Sequence, residues 1–216
     1  RPGAASESLH YDYVVVAVGN RLAFDKIEGF AEHGHTCTDF YYGNKLRRYL
    51  HNEYKGGPVA IGSARFHQGD GTKDIKLYGG HAFPSAEAAC ECPPVETMLA
   101  TATWLKEHGM GGPEKVTVFT PAGMIAEDAG EQVVGNLLKI ASGMGFNYVN
   151  NGKDITRISK DGVELASGQN IEAELKIIFP DWVPHDFLKG LPISDSEGFV
   201  VRSEERRVGK ECRSRW

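Results

Sequence analysis

The hydrophobic positions of the chain alternate between short β-branched runs and longer amphipathic stretches. The run from His10 to Gly19 is continuous and apolar, which is typical of a strand buried on both faces of an α/β sheet. The same pattern predicts further buried strands at 58–63, 115–120, 146–149 and 173–179. Apolar residues at helical spacing predict helices at 41–54, 95–108 and 128–144.

The order of these elements indicates the architecture. Two alternating segments, 154–159 and 162–165, predict a small antiparallel meander, and the other strands alternate with helices as in a parallel α/β sheet. A nucleotide-binding βα unit would carry a G-x-G-x-x-G after the strand at 58–63. That motif is absent, and the stretch 63–89 is polar and rich in turns. We therefore predict a βα unit with an insertion.

Composition and charge narrow the classes of function. Apolar residues at 41% and charged residues at 25% are typical of a soluble globular chain, and the sequence contains no apolar run of membrane-spanning length and no secretory signal pattern. Residues 202–216 resemble translated sequencing adapter, which predicts a non-native tail on a fragment. Without them the chain has 18 basic and 26 acidic residues and a formal charge of −8, so nucleic-acid binding is not expected.

Closely spaced thiols provide the candidate chemistry. Cys90 and Cys92 lie at the predicted start of the helix at 95–108, with two prolines that suit the first helical positions. We expect the exposed N–H groups and the positive end of the helix dipole to favour the thiolate of Cys92, which makes it a candidate nucleophile. With Cys37 the native part has three cysteines, too few for a disulfide scaffold, and one C-x-C alone predicts no metal site.

Several motifs in order resemble those of the two-dinucleotide-fold flavoproteins, and within them sulfide:quinone oxidoreductase and flavocytochrome c sulfide dehydrogenase. The stretches are Tyr11-Asp-Tyr-Val-Val-Val-Ala-Val-Gly19, Gly57-Pro-Val-Ala-Ile-Gly62, Cys92-Pro-Pro-Val-Glu96, Val116-Thr-Val-Phe-Thr-Pro121, Glu127-Asp-Ala-Gly130, Ile177-Ile-Phe-Pro180 and Gly198-Phe-Val-Val201. They span most of residues 10–201. Cys-Pro-Pro is the most discriminating, since the strand motifs are shared with disulfide reductases and NADH dehydrogenases.

The resemblance implies a Rossmann-like FAD/NAD(P)-binding α/β fold and an internal fragment of a flavoprotein. Residues 1–55 would end the first FAD-domain segment, 56–165 would form a degenerate, NAD-like second dinucleotide fold, and 166–201 would return into the FAD domain. The FAD-binding motifs of the family, an N-terminal G-x-G-x-x-G and a Gly-Asp near the C-terminus, are not in this chain. Val18 and Gly19 are then the candidates for contact with FAD, and we expect the fragment alone to be inactive.

The resemblance further implies oxidation of sulfide to polysulfide or sulfur through a cysteine–flavin relay, with quinone or cytochrome c as the electron acceptor. Cys92 would be the relay cysteine, with its disulfide partner in a missing C-terminal region. Cys37 would assist polysulfide growth, and Glu96 would manage protons near the thiol. The protein is expected to be cytoplasmic or peripheral to a membrane, attached through missing parts, and its oligomeric state is not predicted.

Plainer interpretations stay open for each of these residues and for the whole chain. The alternative for Cys92 is a structural role as a small buried apolar side chain. The alternative for Glu96 is a first-turn carboxylate that interacts with the helix dipole. Cys90 is either the true relay cysteine or has no role in the reaction. The rival enzyme is an NADH:quinone dehydrogenase that binds NADH on the second fold, and the non-enzymatic alternative is a degenerate binding module. Loop histidines are predicted to be solvated, namely His33, His35, His67 and His81.

Overall fold

The computed structural model describes residues 8–67 and 87–200. Within these ranges the strands are β1 (Arg21–Leu22), β2 (Val59–Ser63), β3 (Val116–Phe119), β4 (Asn147–Val149), β5 (Ile155–Ile158), β6 (Gly162–Leu165), β7 (Asn170–Glu172), β8 (Leu175–Phe179) and β9 (Trp182–Val183). The helices are α1 (Phe30–His33), α2 (Phe40–Asn52), α3 (Pro93–Glu107) and α4 (Glu131–Met144). The α/β fold class predicted from the sequence is confirmed.

A four-stranded parallel sheet with the order β4-β3-β2-β8 forms the centre of the molecule. Strands β2 and β8 are buried along their whole length, as their continuous apolar pattern predicts. The chain runs from β2 to β3 and β4 on one side and then returns to β8 on the other side. The carboxyl ends of β2 and β8 therefore meet where the strand order reverses, which is where ligands bind in open α/β sheets.

Helices α2, α3 and α4 supply most of the apolar side chains that cover one face of this sheet. The cluster includes Leu46 of α2, Met98 and Leu105 of α3, and Val134 of α4, packed against sheet residues such as Ile61. Each of these five side chains is at most 7% exposed. The three helices lie within about three residues of their predicted bounds, since amphipathic periodicity is what buries their apolar faces.

The meander packs on a second apolar cluster, which includes Ile158, Val163, Ile171 and the sheet residues Phe119 and Ile178. It has three antiparallel strands, β5-β6-β7, rather than the predicted two. Strand β7 is only three residues long and its burial alternates exposed, buried, exposed, so its sequence carries too few positions to reveal the period. The meander covers part of the sheet opposite the helices.

The polar stretch after β2 begins and ends as an antiparallel pair. Phe66 donates its N–H to Glu87 O at 2.8 Å, and Ala89 donates to Ala64 O at 2.9 Å. Residues 68–86 of this predicted insertion lie outside the described part of the chain. Residues 64–66 and 87–89 therefore lie side by side after β2, directly before the start of α3.

The prediction of a buried strand at 10–19 is wrong for this structure. The segment forms no strand, and Tyr13 and Val15 are 93% and 87% exposed. A β-branched run becomes a strand only when a neighbouring strand satisfies its backbone hydrogen bonds, and the described residues supply none here.

The last described residues also form less strand than their sequence suggests. Of the strand-like stretch 198–201, Val200 forms only an isolated antiparallel bridge with Ser194, and residues 201–216 lie outside the described part.

Strand β8, which falls within the range 166–201 assigned to the FAD domain, pairs with β2 over Leu175–Phe179. The division of the chain into flavoprotein segments stays a prediction.

Candidate functional site

Ser63, the last residue of β2, fixes the approach of the chain to α3. Its hydroxyl accepts a hydrogen bond from Cys90 N–H at 2.8 Å and donates one to Ala64 O at 2.9 Å. The residue is only 1% exposed, so both bonds are shielded from water. They hold Cys90, and the two residues that follow it, at the carboxyl edge of the parallel sheet.

Cys92 occupies the N-cap position of α3. Its carbonyl accepts from Val95 N–H at 2.9 Å and from Glu96 N–H at 3.2 Å, while its thiol makes no capping hydrogen bond. The two prolines occupy the first helical positions, where no N–H is required. The helix therefore starts where the sequence predicts, and Cys92 is an exposed residue at this edge, although its sulfur is partly buried.

The pKa of the Cys92 thiol is raised, contrary to the prediction that the helix start favours the thiolate. Burial of the sulfur is the largest cause, followed by the negative charges of Glu91, Glu96 and Asp128. Glu91 is 7% exposed, and its carboxylate accepts from Glu127 N–H at 3.3 Å. Burial and the three nearby carboxylates disfavour a negative charge on the sulfur, so Cys92 is a neutral thiol at neutral pH. It needs a base or an oxidised partner to react.

Cys37 reaches the same edge from a distant part of the chain. The segment before it runs parallel to β8, because His35 N–H donates to Lys176 O at 2.8 Å and Ile178 N–H donates to His35 O at 2.7 Å. The Cys37 sulfur lies 4.0 Å from the Thr97 hydroxyl of α3. Thr97 follows Cys92 by five residues, a rise of about 7.5 Å along the helix axis. The fold thus brings Cys37 to the helix that Cys92 begins.

The pKa of the Cys37 thiol is also raised. Burial of the sulfur is the main cause, and the hydrogen bond with Thr97 partly opposes it. Both thiols therefore rest in the protonated form at neutral pH, although both residues are exposed. Glu96, the third predicted catalytic residue, is exposed in the first turn of α3 and close enough to Cys92 for its charge to act on the thiol.

Val18 and Gly19, the predicted FAD contacts, lie in the exposed N-terminal segment. Gly19 has a φ of +64° with open space where a Cβ would project, which leaves its backbone accessible to a ligand. His185 Nε2 lies 3.1 Å from the carbonyl oxygen of Val18. The described residues offer this backbone approach but no glycine-rich cradle for a pyrophosphate, so they do not complete a flavin site by themselves.

The range 56–165, predicted to form the second dinucleotide fold, also lacks the usual features of a nicotinamide nucleotide site. No G-x-G-x-x-G follows β2. A dinucleotide fold commonly carries an Asp or Glu after its second strand to bind a ribose hydroxyl. After β3 the chain instead has Thr120, which is 1% exposed and whose hydroxyl accepts from Ala122 N–H at 3.3 Å.

His35 is not solvated as predicted. Its ring packs against that of Tyr49 at a tilt of 35°, with the ring centroids 4.3 Å apart. Burial, followed by the charges of Lys45 and Lys176, lowers the pKa of His35 to about 4. His67 is exposed, as predicted, whereas His81 lies outside the described residues. The packing of His35 follows from its pairing with β8, which no local pattern in the sequence reveals.

Sequence reasoning missed Thr97, Glu91 and Asp128. Thr97 lies near the start of a predicted helix, Glu91 separates the two cysteines, and Asp128 falls in the stretch Glu127-Asp-Ala-Gly130. Only the tertiary contacts show that these residues act on the two thiols. Within residues 8–67 and 87–200, no group of three or more His, Cys, Asp or Glu side chains is arranged to hold a metal ion. None of the helices described is both long and apolar enough to cross a membrane.

The chain matches no protein-family model, but solved structures share its fold. It is similar to a sulfide:quinone oxidoreductase from the hyperthermophilic bacterium Aquifex aeolicus, with a TM-score of 0.60 and 20% identity over 89% of this chain and 42% of that one. A NAD-dependent persulfide reductase from A. fulgidus matches with a TM-score of 0.53 and 19% identity over 83% of this chain and 27% of that one.

NDH2 from Plasmodium falciparum in complex with NADH matches with a TM-score of 0.57 and 12% identity over 87% of this chain and 39% of that one. The chain spans less than half the length of each of these three structures. Identities this low support a shared fold and leave the activity to be proposed. The chain therefore has the Rossmann-type fold of the FAD/NAD(P)-binding flavoproteins.

Proposed function

We propose that the complete protein is an FAD-dependent oxidoreductase that oxidises sulfide through a cysteine relay and passes the electrons to quinone. The observation that carries the proposal is the approach of Cys37 to the helix that Cys92 begins, at the carboxyl edge of the sheet. The Cys-Pro-Pro motif and the similarity to a sulfide:quinone oxidoreductase fold support it. The proposal includes a cytoplasmic or membrane-peripheral location for the complete protein.

Thiol–disulfide exchange accounts for the sulfur chemistry of the relay. Hydrosulfide attacks a disulfide that includes Cys92, so one S–S bond breaks, a persulfide forms on Cys92 and the second cysteine leaves as a thiolate. A further hydrosulfide takes the outer sulfur as HS–S⁻, and Cys92 returns to the thiol. Reoxidation of the two thiols to the disulfide releases two protons and two electrons, and FAD would accept the electrons.

The protein residues in this proposal handle sulfur and protons. Because the pKa of Cys92 is raised, its thiol needs a proton acceptor during reoxidation. Glu96 has a carboxylate whose charge acts on that thiol, and we assign it this role. Cys37 would hold a growing sulfur chain beside Thr97, which already contacts its sulfur.

The test uses the complete protein under anaerobic conditions and follows loss of flavin absorbance after sulfide is added. We expect Cys92→Ser to slow sulfide-dependent reduction at least about 100-fold, because a hydroxyl cannot form the persulfide. Cys90→Ser is the matched control, with the same atom exchanged two residues away. An unchanged rate in Cys92→Ser would refute the proposal, and loss of activity only in Cys90→Ser would transfer the role to Cys90.

The second candidate is an NADH-dependent quinone reductase, favoured by the fold similarity to NDH2 in complex with NADH. Thr120 at the usual position of the ribose-binding acid argues against it, since its hydroxyl is buried and already hydrogen-bonded. Rapid mixing of the complete protein with NADH distinguishes the two candidates. Flavin reduction by NADH with no response to sulfide would establish the second.

A further inference from the structure

A cavity of about 240 Å³ opens beside α1, the segment before Cys37 and the start of α2. Aromatic rings form much of its lining, with one imidazole and one ammonium group; these residues are Phe24, Phe30, Tyr41, Tyr42, His35 and Lys45. None of its lining residues is an Asp or a Glu. Its lining includes none of the proposed relay residues Cys37, Cys92 and Glu96, although Thr36 in the lining directly precedes Cys37.

The aromatic rings support one another. The ring centroids of Phe24 and Phe30 are 4.9 Å apart, and those of Phe24 and Tyr42 are 4.6 Å apart. Tyr41 meets Tyr42 edge to face at 5.0 Å. Contacts of this kind favour a further flat ring, because stacking adds to the gain from burying apolar surface.

The polar groups of the cavity favour a negative charge. His35 Nδ1 is buried and has no hydrogen-bond partner among the described residues. The pKa of His35 is lowered by burial first and then by Lys45 and Lys176, so two positive charges act on this part of the cavity. Within the described residues, Lys45 forms no ion pair with a carboxylate at salt-bridge distance, which leaves its ammonium group available to a ligand.

We propose that this cavity binds a single aromatic ring that carries an anionic oxygen group. The ring would lie among Phe24, Phe30 and Tyr42, and the anion would meet the Lys45 ammonium. A dry cavity of about 150 Å³ can hold benzene, so one substituted ring is the appropriate size for this volume. The site goes beyond the proposed sulfide oxidation and does not depend on it, since no thiol takes part.

Benzoate and benzamide are matched probes because they have the same shape and differ in charge. We titrate each into the isotope-labelled chain and follow the backbone amide signals of Gly34, Thr36 and Lys45 by NMR. We expect saturable shifts at these residues and about fivefold tighter binding of benzoate than of benzamide, the scale of one partly exposed ion pair.

Lys45→Met keeps the length of the side chain and removes the charge. It should reduce the affinity for benzoate to that for benzamide and leave the benzamide affinity unchanged. Lys139→Met, on the exposed face of α4, is the control for a general change in net charge and should keep the fivefold preference. Equal affinities of the two probes, unchanged benzoate binding in Lys45→Met, or shifts that do not saturate at these amides would each overturn the proposal.

Discussion

His35 makes the stability of this fold sensitive to acid. Its pKa is lowered to about 4 in the folded chain by burial and by the charges of Lys45 and Lys176, whereas the unfolded value is near 6.5. The fold therefore favours the neutral imidazole. The stability that depends on this neutral form is complete above about pH 7 and is lost as the pH falls from 6.5 towards 4, because only the unfolded chain binds the proton readily in that interval.

The size of the effect follows from the two pKa values. At 1.36 kcal/mol per unit, the difference between pH 7 and pH 4.5 has an upper limit of about 2.4 kcal/mol. The ring is only partly buried, so water screens some of this, and we expect about 1–2 kcal/mol. That is a large part of the free energy of unfolding of a typical domain.

His35→Phe is the appropriate perturbation. The phenyl ring keeps the packing against Tyr49 and removes both the titration and the buried Nδ1, while the backbone bonds to β8 do not depend on the side chain. Urea unfolding of the two chains, followed by circular dichroism, gives the free energy of unfolding at each pH. We expect the wild type to lose about 1–2 kcal/mol more than the variant over this range. Parallel pH dependences of the two chains would refute the reasoning.

Two further experiments test the sheet and the thiol. Gly62→Ala places a Cβ 2.5 Å from the Phe119 ring and should reduce the free energy of unfolding by about 1–3 kcal/mol. Gly135→Ala, in α4, meets open space and should increase the free energy of unfolding by up to about 1 kcal/mol. Equal urea midpoints of the two variants would contradict this expectation. In a chain that keeps Cys92 as its only cysteine, Asp128→Asn removes one charge that raises the thiol pKa, so alkylation by iodoacetamide should begin at lower pH; an unchanged pH profile would exclude this cause.

Much of the architecture was predictable because its periodicity is local. The helices α2, α3 and α4 and the buried strands β2, β3 and β8 follow the patterns in their own residues, since one helical stripe or one continuous run is what the sheet buries. The same reasoning failed for the run from His10 to Gly19, which has the strongest strand pattern of the chain. A strand also needs a partner, and pairing is not encoded in the run itself.

The candidate site was predictable only in part. The Cys-Pro-Pro motif located the start of α3, and Cys92 is its N-cap. The raised pKa of the thiol was not predictable, because its main cause is burial of the sulfur and because Asp128, one of the three carboxylates that add to it, is distant in the sequence. The contact between Cys37 and Thr97 likewise depends on how the segment before Cys37 pairs with β8.

The sequence by itself determined the α/β class, the alternation of helices and strands, and the placement of a cysteine at a helix start, because these depend on periods of two and 3.6 residues and on local capping. The tertiary structure alone decided the strand order β4-β3-β2-β8, the partial burial of His35 and the contact of Cys37 with the helix that Cys92 begins. Those features arise from contacts between residues far apart in the chain. Their free energies depend on distance, burial and the sum of nearby charges, none of which a local pattern contains.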